Sequence, residues 1–221
     1  MSPRLLYQQE LELLKSKVVE MNERAETSFN RLLMAESTRN MEALTQLLDN
    51  DRQMVDMQRS IEAKCLTLLT RQQPVACDLR IVSAALKVVT DIERIGDHVT
   101  DLAEFFLRME EGFTFAEKEP MMAEMMQETG KMLHSAVVAF EEEDEEAAKA
   151  VICQDDVIDD YFNQVKDKML EDIRTRNPDA DKVVDFLMVA KYLEKIGDHA
   201  VNIAQWTIFQ KTGNMEDVRL L

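Results

Sequence analysis

Cysteine, glycine, proline and aromatic residues are all scarce in this chain of 221 residues. Its three cysteines, Cys65, Cys77 and Cys153, are odd in number and form no C-x-x-C pair. That pattern argues against a disulfide framework and a thiolate zinc site, and the thiols read as small core residues. Five glycines and four prolines offer few backbone breaks, and aromatics make up only 6%. Together with 15 methionines, this composition favours long helices over sheet. No apolar run reaches the ~18 residues of a membrane span. The best candidate, residues 81–89, is interrupted by Lys87. No apolar stretch follows Arg4, so no signal peptide is expected. Positive charge is also short: 26 Lys and Arg stand against 43 Asp and Glu, a net charge of −17. A sequence-independent nucleic-acid binder needs a basic footprint and is excluded, and an anionic membrane surface is disfavoured. The expected protein is soluble and intracellular, and its favoured partners are cations or surfaces with positive patches.

Hydrophobic residues make up 46% of the chain, enough for a sizeable core. Pro74, Gly112, Pro120, Pro178 and Gly213 are widely spaced, and the apolar periodicity between them is helical. The pattern predicts helices over residues 4–36, 40–72, 74–108, 114–140, 144–176 and 177–213. Pro74 suits a first turn, Thr114 with Glu117 forms a capping-box pattern, and Asn177 is a candidate cap. The chain also repeats itself. Residues 90–103 align with residues 191–204 at an offset of 101, with six identities in fourteen. The copies fall in the third and sixth predicted helices. The expected fold is therefore all-α: two tandem three-helix bundles, residues 1–112 and 113–221, related by internal duplication.

The repeated segments carry the candidate chemistry. Val88, Ile92, Ile95, Val99, Leu102 and Phe106 step by four and three, as do Val189, Leu193, Ile196, Ala200 and Ile203; both sets read as bundle seams. Beside each seam runs a polar stripe: Glu93, Asp97 and Asp101 in the first copy, Glu194, Asp198 and Asn202 in the second. Residues four apart stack on one helix face, and stacked carboxylates repel unless neutralised. A hard cation would neutralise them, and an all-oxygen set suits Fe³⁺, Mg²⁺, Mn²⁺ or Ca²⁺, while Zn²⁺ also accepts oxygen. A lone E-x-x-x-D in so acidic a chain reads as a solvated face. Its recurrence in register, each time after Ile-Gly and before His, favours a metal site. A second helix must contribute ligands, and Asp51, Asp155 and Asp159 are available.

His98 and His199 follow the stripe aspartates by one residue, about 100° around the helix. They read as hydrogen-bonding groups or as groups that orient the ligands. The di-iron Glu-x-x-His signature is absent, because Glu93 and His98 are five apart. Gly96 and Gly197 sit mid-helix, where glycine costs about 1 kcal/mol against alanine, so each marks close helix packing or close approach of a ligand. Met121, Met122, Met125 and Met126 read as core filling. No phosphate loop, nucleophile elbow or HExxH is present.

The two copies, Glu93-Arg94-Ile95-Gly96-Asp97 and Glu194-Lys195-Ile196-Gly197-Asp198-His199, resemble the duplicated E-x-x-x-D signature of the PhoU family. The segment Gln73-Pro74-Val75-Ala76-Cys77-Asp78-Leu79-Arg80 resembles that family's Q-P-x-A-x-D-L-R. The resemblance covers essentially the whole chain. It implies two three-helix bundles and a cytoplasmic, non-enzymatic negative regulator of phosphate uptake. Such a regulator would link the ATPase subunit of the phosphate ABC transporter to a phosphate-responsive histidine kinase, often as a homodimer. It also implies multinuclear iron or zinc, or magnesium or manganese, bound by Glu93, Asp97, Asp101, Glu194 and Asp198, with Asp51, Asp155, Asp159 and Asn202 as further candidates. Aligned to the family, the first half has Val55 and Gln58 at two commonly polar positions. Two other readings compete: a carboxylate-bridged metalloenzyme, either hydrolase or oxidase, and a purely structural acidic bundle. Ester turnover lost with the stripe would mark the former, and the absence of bound metal the latter.

Overall fold

The computed structural model describes residues 3–48, 51–72, 76–109, 113–176 and 180–214. They form eight helices and, among the described residues, no strand: α1 (Pro3–Ser37), α2 (Met41–Leu48), α3 (Asp51–Gln72), α4 (Ala76–Arg108), α5 (Phe115–Lys118), α6 (Pro120–Glu141), α7 (Glu145–Arg176) and α8 (Ala180–Thr212). The predicted second helix corresponds to α2 and α3. Pro74, Gly112 and Asn177 lie outside the described residues.

The predicted fourth helix is divided. Proline offers no N–H and disfavours helical backbone in the residue before it. Glu119 accordingly leaves the helical region (φ −137, ψ 69), α5 ends, and α6 starts at Pro120. The expected capping box does not form either, because Thr114 makes no side-chain cap bond. Oε1 of the buried Glu36, on α1, instead accepts the Phe115 N–H at 2.6 Å. A carboxylate distant in sequence thus takes over the capping role.

Both halves turn the same corner in the same way. Arg39 and Glu143 adopt left-handed backbone (φ 57 and 52) after α1 and α6. The next residue's N–H reaches back in each case, Asn40 to the Ala35 carbonyl at 2.8 Å and Asp144 to the Ala139 carbonyl at 2.9 Å. That is the Schellman pattern. The same two residues then cap the following helices: Asn40 Oδ1 accepts from Ala43 N–H at 3.0 Å, and Asp144 Oδ1 from Glu146 N–H at 2.9 Å.

The duplication is realised as two bundles, α1–α4 and α6–α8. They meet along α4 against α8 and α1 against α6, while α3 and α7 lie on the outer flanks. The central helices are antiparallel: Arg108 of α4 lies 3.6 Å from Asp185 of α8, and Gly213, just past α8, lies against Arg80 of α4. Every residue of the two predicted seams is buried, and one apolar core runs through both halves. Met122, Met125 and Met126 fill it as expected. Of the cysteines only Cys65 is buried; Cys77 and Cys153 are exposed, because their helical phase faces solvent. No helix among the described residues is long and apolar enough to cross a membrane.

Candidate metal centre

Antiparallel packing gives each repeated helix two neighbours on different sides. The α8 stripe is turned toward α7. Glu194 and Asp198 are half-buried and lie near Asp155 and Asp159, which stand one turn apart on α7. Burial first, then the charges of Asp159 and Asp198, push the Asp155 carboxyl up to about 6. Asp159 is raised by burial and by the charges of Glu194 and Asp198. Four carboxylates from two helices thus lie near one another, and the two on α7 resist carrying negative charge.

Gly197 lies beside these carboxylates. A Cβ at this position would have Ile158 Cγ2 at 3.5 Å, Asp155 Oδ1 at 3.7 Å and Met132 Sδ at 3.7 Å as its nearest neighbours. The Asp155 carboxylate thus lies close to the bare face of α8, at a distance that an added methyl would also allow. Lysines partly neutralise the cluster. Lys195 pairs with Asp198, and Lys191 Nζ lies 2.7 Å from Glu194 Oε2. That oxygen is buried and accepts no aligned hydrogen bond despite the ion pair. Among the described residues no three His, Cys, Asp or Glu side chains are yet close enough to hold an ion as they stand. The donors are nevertheless all oxygen and drawn from two helices, and one buried oxygen, Glu194 Oε2, is held only through lysine ion pairs. This set fits a hard or borderline cation.

The α4 stripe has different surroundings. Arg94 Nη1 pairs with Asp97 at 2.8 Å, and Arg94 Nε lies 3.5 Å from Glu93. Opposite Gly96, α3 presents Met54 rather than a carboxylate, with Met54 Cγ 3.2 Å from where a Cβ would stand. The residue facing the glycine is therefore Met54, not Val55. Gln58 donates to Glu62 on its own helix at 3.2 Å. Asp51 opens α3, but its side chain lies outside the described residues.

The third stripe members and the histidines point elsewhere. Asn202 Nδ2 and His199 Nδ1 both lie 2.9 Å from Asp91 Oδ1, across the α4–α8 interface. Asp101 is within hydrogen-bonding reach of the Tyr192 hydroxyl, whose pKa is raised by burial and then by the Asp101 charge. His98 and His199 face each other with ring centroids 5.6 Å apart, and His98 packs on Tyr192 at 5.2 Å. His98 Nδ1 is buried, and its 3.6 Å separation from Asp101 is too long for a good hydrogen bond. Burial, then repulsion from His199, lowers the His98 pKa. The rotation of about 100° from the aspartate aims each histidine at the opposing central helix, not at the carboxylates. Asn202, already committed to Asp91, joins them in holding the halves together. Asp91 and Tyr192 drew no notice in the sequence, yet the repeat offset of 101 residues pairs them with each other, as it pairs Asp101 with Asn202.

Comparison with known proteins agrees with the duplicated helical fold. The PhoU domain matches the chain twice, at residues 18–106 and 122–207. The phosphate-specific transport system accessory protein PhoU homolog 1 of Thermotoga maritima is 32% identical over 212 residues, spanning 96% of this chain and 91% of that protein. The corresponding homolog of Clostridium acetobutylicum is 30% identical over 216 residues, spanning 97% and 98%. The crystal structure of PhoU from Pseudomonas aeruginosa superposes with a TM-score of 0.85 at 27% identity, over 94% of this chain and all of that one. That of the phosphate transport system regulatory protein PhoU from Streptococcus pneumoniae reaches 0.87 at 23% identity, over 96% of this chain, and shares the fold.

Proposed function

The chain belongs to the PhoU family of phosphate-transport accessory proteins, which are regulators rather than enzymes, and we propose that it restrains phosphate uptake as an adaptor. Its proposed partners are the ATPase subunit of a phosphate ABC transporter and a phosphate-responsive histidine kinase, and it would act in the cytoplasm as a homodimer. The observation that carries this reading is the near full-length match to PhoU accessory proteins, in two copies of one domain. We take the boundary between the copies at residues 112 and 113.

A multinuclear iron or zinc centre, or magnesium or manganese, belongs to the same proposal. Glu194, Asp198, Asp155 and Asp159 would hold it. Glu93, Asp97 and Asp101, with Asp51, are the first-half candidates. When bound, the cation supplies positive charge that neutralises the carboxylates and ties α7 to α8. The residues themselves set the two helix faces at a fixed distance, with Asp155 beside Gly197. His98, His199 and Asn202 couple that bundle to the other one rather than to the metal. A rigid pair of bundles presents one constant outer surface to both partners.

The test is expression of phosphate-starvation genes in phosphate-rich medium, with the sole gene copy carrying Asp155→Asn and Asp198→Asn. Derepression at a normal protein level is the expected outcome. Full repression would remove the carboxylates from the function. A second reading is favoured by the ion pairs Arg94–Asp97 and Lys195–Asp198, which already neutralise part of each stripe. In that reading the acids form a salt-bridged face only, and a chelator leaves the melting temperature unchanged.

A further inference from the structure

We infer that the two halves of this chain are unequal toward the cation: the second half alone holds it, and Met54 closes the matching place in the first. The inference rests on the proposed metal reading and narrows it to one bundle. At the repeat offset of 101 residues, Gly96 corresponds to Gly197, Met54 to Asp155 and Gln58 to Asp159. The structure places Met54 and Asp155 as spatial counterparts, because Asp155 faces Gly197 and Met54 faces Gly96.

The contents of the two places differ in kind. Around Gly197 the nearest atoms belong to three residues on two helices, and one of them is a carboxylate oxygen. Around Gly96 the three nearest atoms are all from Met54: Cγ at 3.2 Å, Cβ at 3.6 Å and Cε at 3.6 Å. The thioether chain lies over the bare helix face and is buried. A thioether is soft, neutral and a weak donor, so it neither attracts a hard cation nor shares its charge. Gln58 brings a neutral carboxamide where α7 brings Asp159, and that amide already donates to Glu62. At the same offset the counterpart of Asp51 is Ile152, not Asp155 or Asp159.

The on-helix cations do not account for the difference: Lys191, which pairs with Glu194, has the neutral Thr90 as its counterpart, so the second half carries one cation more, not fewer. Arg94 and Lys195 occupy the same repeat position and pair with Asp97 and Asp198 in the same i,i+3 geometry. The asymmetry comes from the flanking helix. The stripe on α4 is acidic like that on α8, while α3 brings packing and a side-chain amide where α7 brings two carboxylates.

The experiment uses the untagged full-length chain, stripped and then reloaded separately with Zn²⁺, Mn²⁺ and Fe³⁺, with element content measured per chain after desalting. Asp97→Asn is expected to retain the wild-type content. Asp198→Asn is expected to lose at least tenfold. Met54→Asp with Gln58→Asp is expected to raise the content about twofold, provided circular dichroism shows it folded. The Asp97→Asn comparison decides the matter without that buried variant. Loss of about half the metal in Asp97→Asn, with the rest lost in Asp198→Asn, overturns the inference while leaving the metal reading intact. No retained metal in the wild type with any of the three ions overturns both.

Discussion

His199 Nδ1 of α8 lies 2.9 Å from Asp91 Oδ1 of α4, and the same oxygen accepts Asn202 Nδ2 at 2.9 Å. The mirrored place in the repeat holds His98, Asp101 and Tyr192, joined by ring packing and a hydroxyl. One half of the central interface is therefore held by a carboxylate and the other by an aromatic ring, on a single internal two-fold plan.

Asp91→Ala leaves two half-buried donors without an acceptor. It is expected to cost about 1–3 kcal/mol, the desolvation cost of unpaired groups. Tyr192→Phe removes a hydroxyl but keeps the ring and should cost about 1 kcal/mol or less. Urea unfolding of both variants provides the check, and equal losses would contradict the unequal roles.

Glu36 gives a pH-dependent contribution. Burial raises its pKa, outweighing the Phe115 N–H bond and the nearby Arg39, which lower it. The folded pKa is above the unfolded one, so its contribution is fully present below about 4.5 and is lost as pH rises through the folded value. Glu36→Gln keeps an oxygen for the Phe115 N–H without the buried charge. Its melting temperature should exceed that of the wild type at pH 7, and the difference should shrink as pH falls toward 4.5. Glu36→Ala also loses the acceptor and should cost about 0.5–2 kcal/mol, the worth of a helix cap. Melting curves of the three proteins at pH 4.5 and pH 7 measure both effects.

The two mid-helix glycines are expected to respond differently. At Gly197 the nearest neighbours of an added methyl are at ordinary contact distance, 3.5 Å or more. Gly197→Ala should stabilise the metal-free chain by up to about 1 kcal/mol through helix propensity. At Gly96 the methyl meets Met54 Cγ at 3.2 Å, so part of that gain goes into moving Met54. Gly96→Ala should therefore raise the melting temperature less than Gly197→Ala.

Asp155 is expected to show opposite effects with and without metal. Its folded value of about 6 exceeds the ordinary 3.8, so in metal-free protein its stabilising share is lost as pH rises between those values. Asp155→Asn removes the repulsion and should raise the metal-free melting temperature at pH 7 by about 2–4 °C, near 1 kcal/mol after solvent screening. In metal-loaded protein the same change should lower it, since a ligand is gone and metal binding no longer favours the folded state. Calorimetry with and without chelator distinguishes the two signs.

Much of this was readable along the chain. Helical periodicity, sparse breakers and the offset of 101 residues were enough to establish an all-α duplicated fold, because apolar spacing reports directly which face of a helix is buried. The breaks between residues 36 and 40 and between residues 140 and 144 were legible as gaps in the periodicity, but the caps that Asn40 and Asp144 form there were not. The break at Pro120 was marked by the proline itself but masked by the capping-box pattern at Thr114. The acidic stripes were visible as stripes, since residues four apart share a face whatever surrounds them.

What each stripe faces was not visible, because helix period places a side chain on its own axis and says nothing of the neighbouring helix. Only packing decided that Asp155 and Asp159 meet Glu194 and Asp198 while Met54 covers Gly96. Packing also turned His98, His199 and Asn202 toward the central interface, and brought Glu36 to a backbone N–H in a helix distant in sequence. The sequence by itself determined the helices, their duplication and which residues are acidic. The tertiary structure decided which acids stand together, because that depends on how α3 and α7 sit against the two repeated helices.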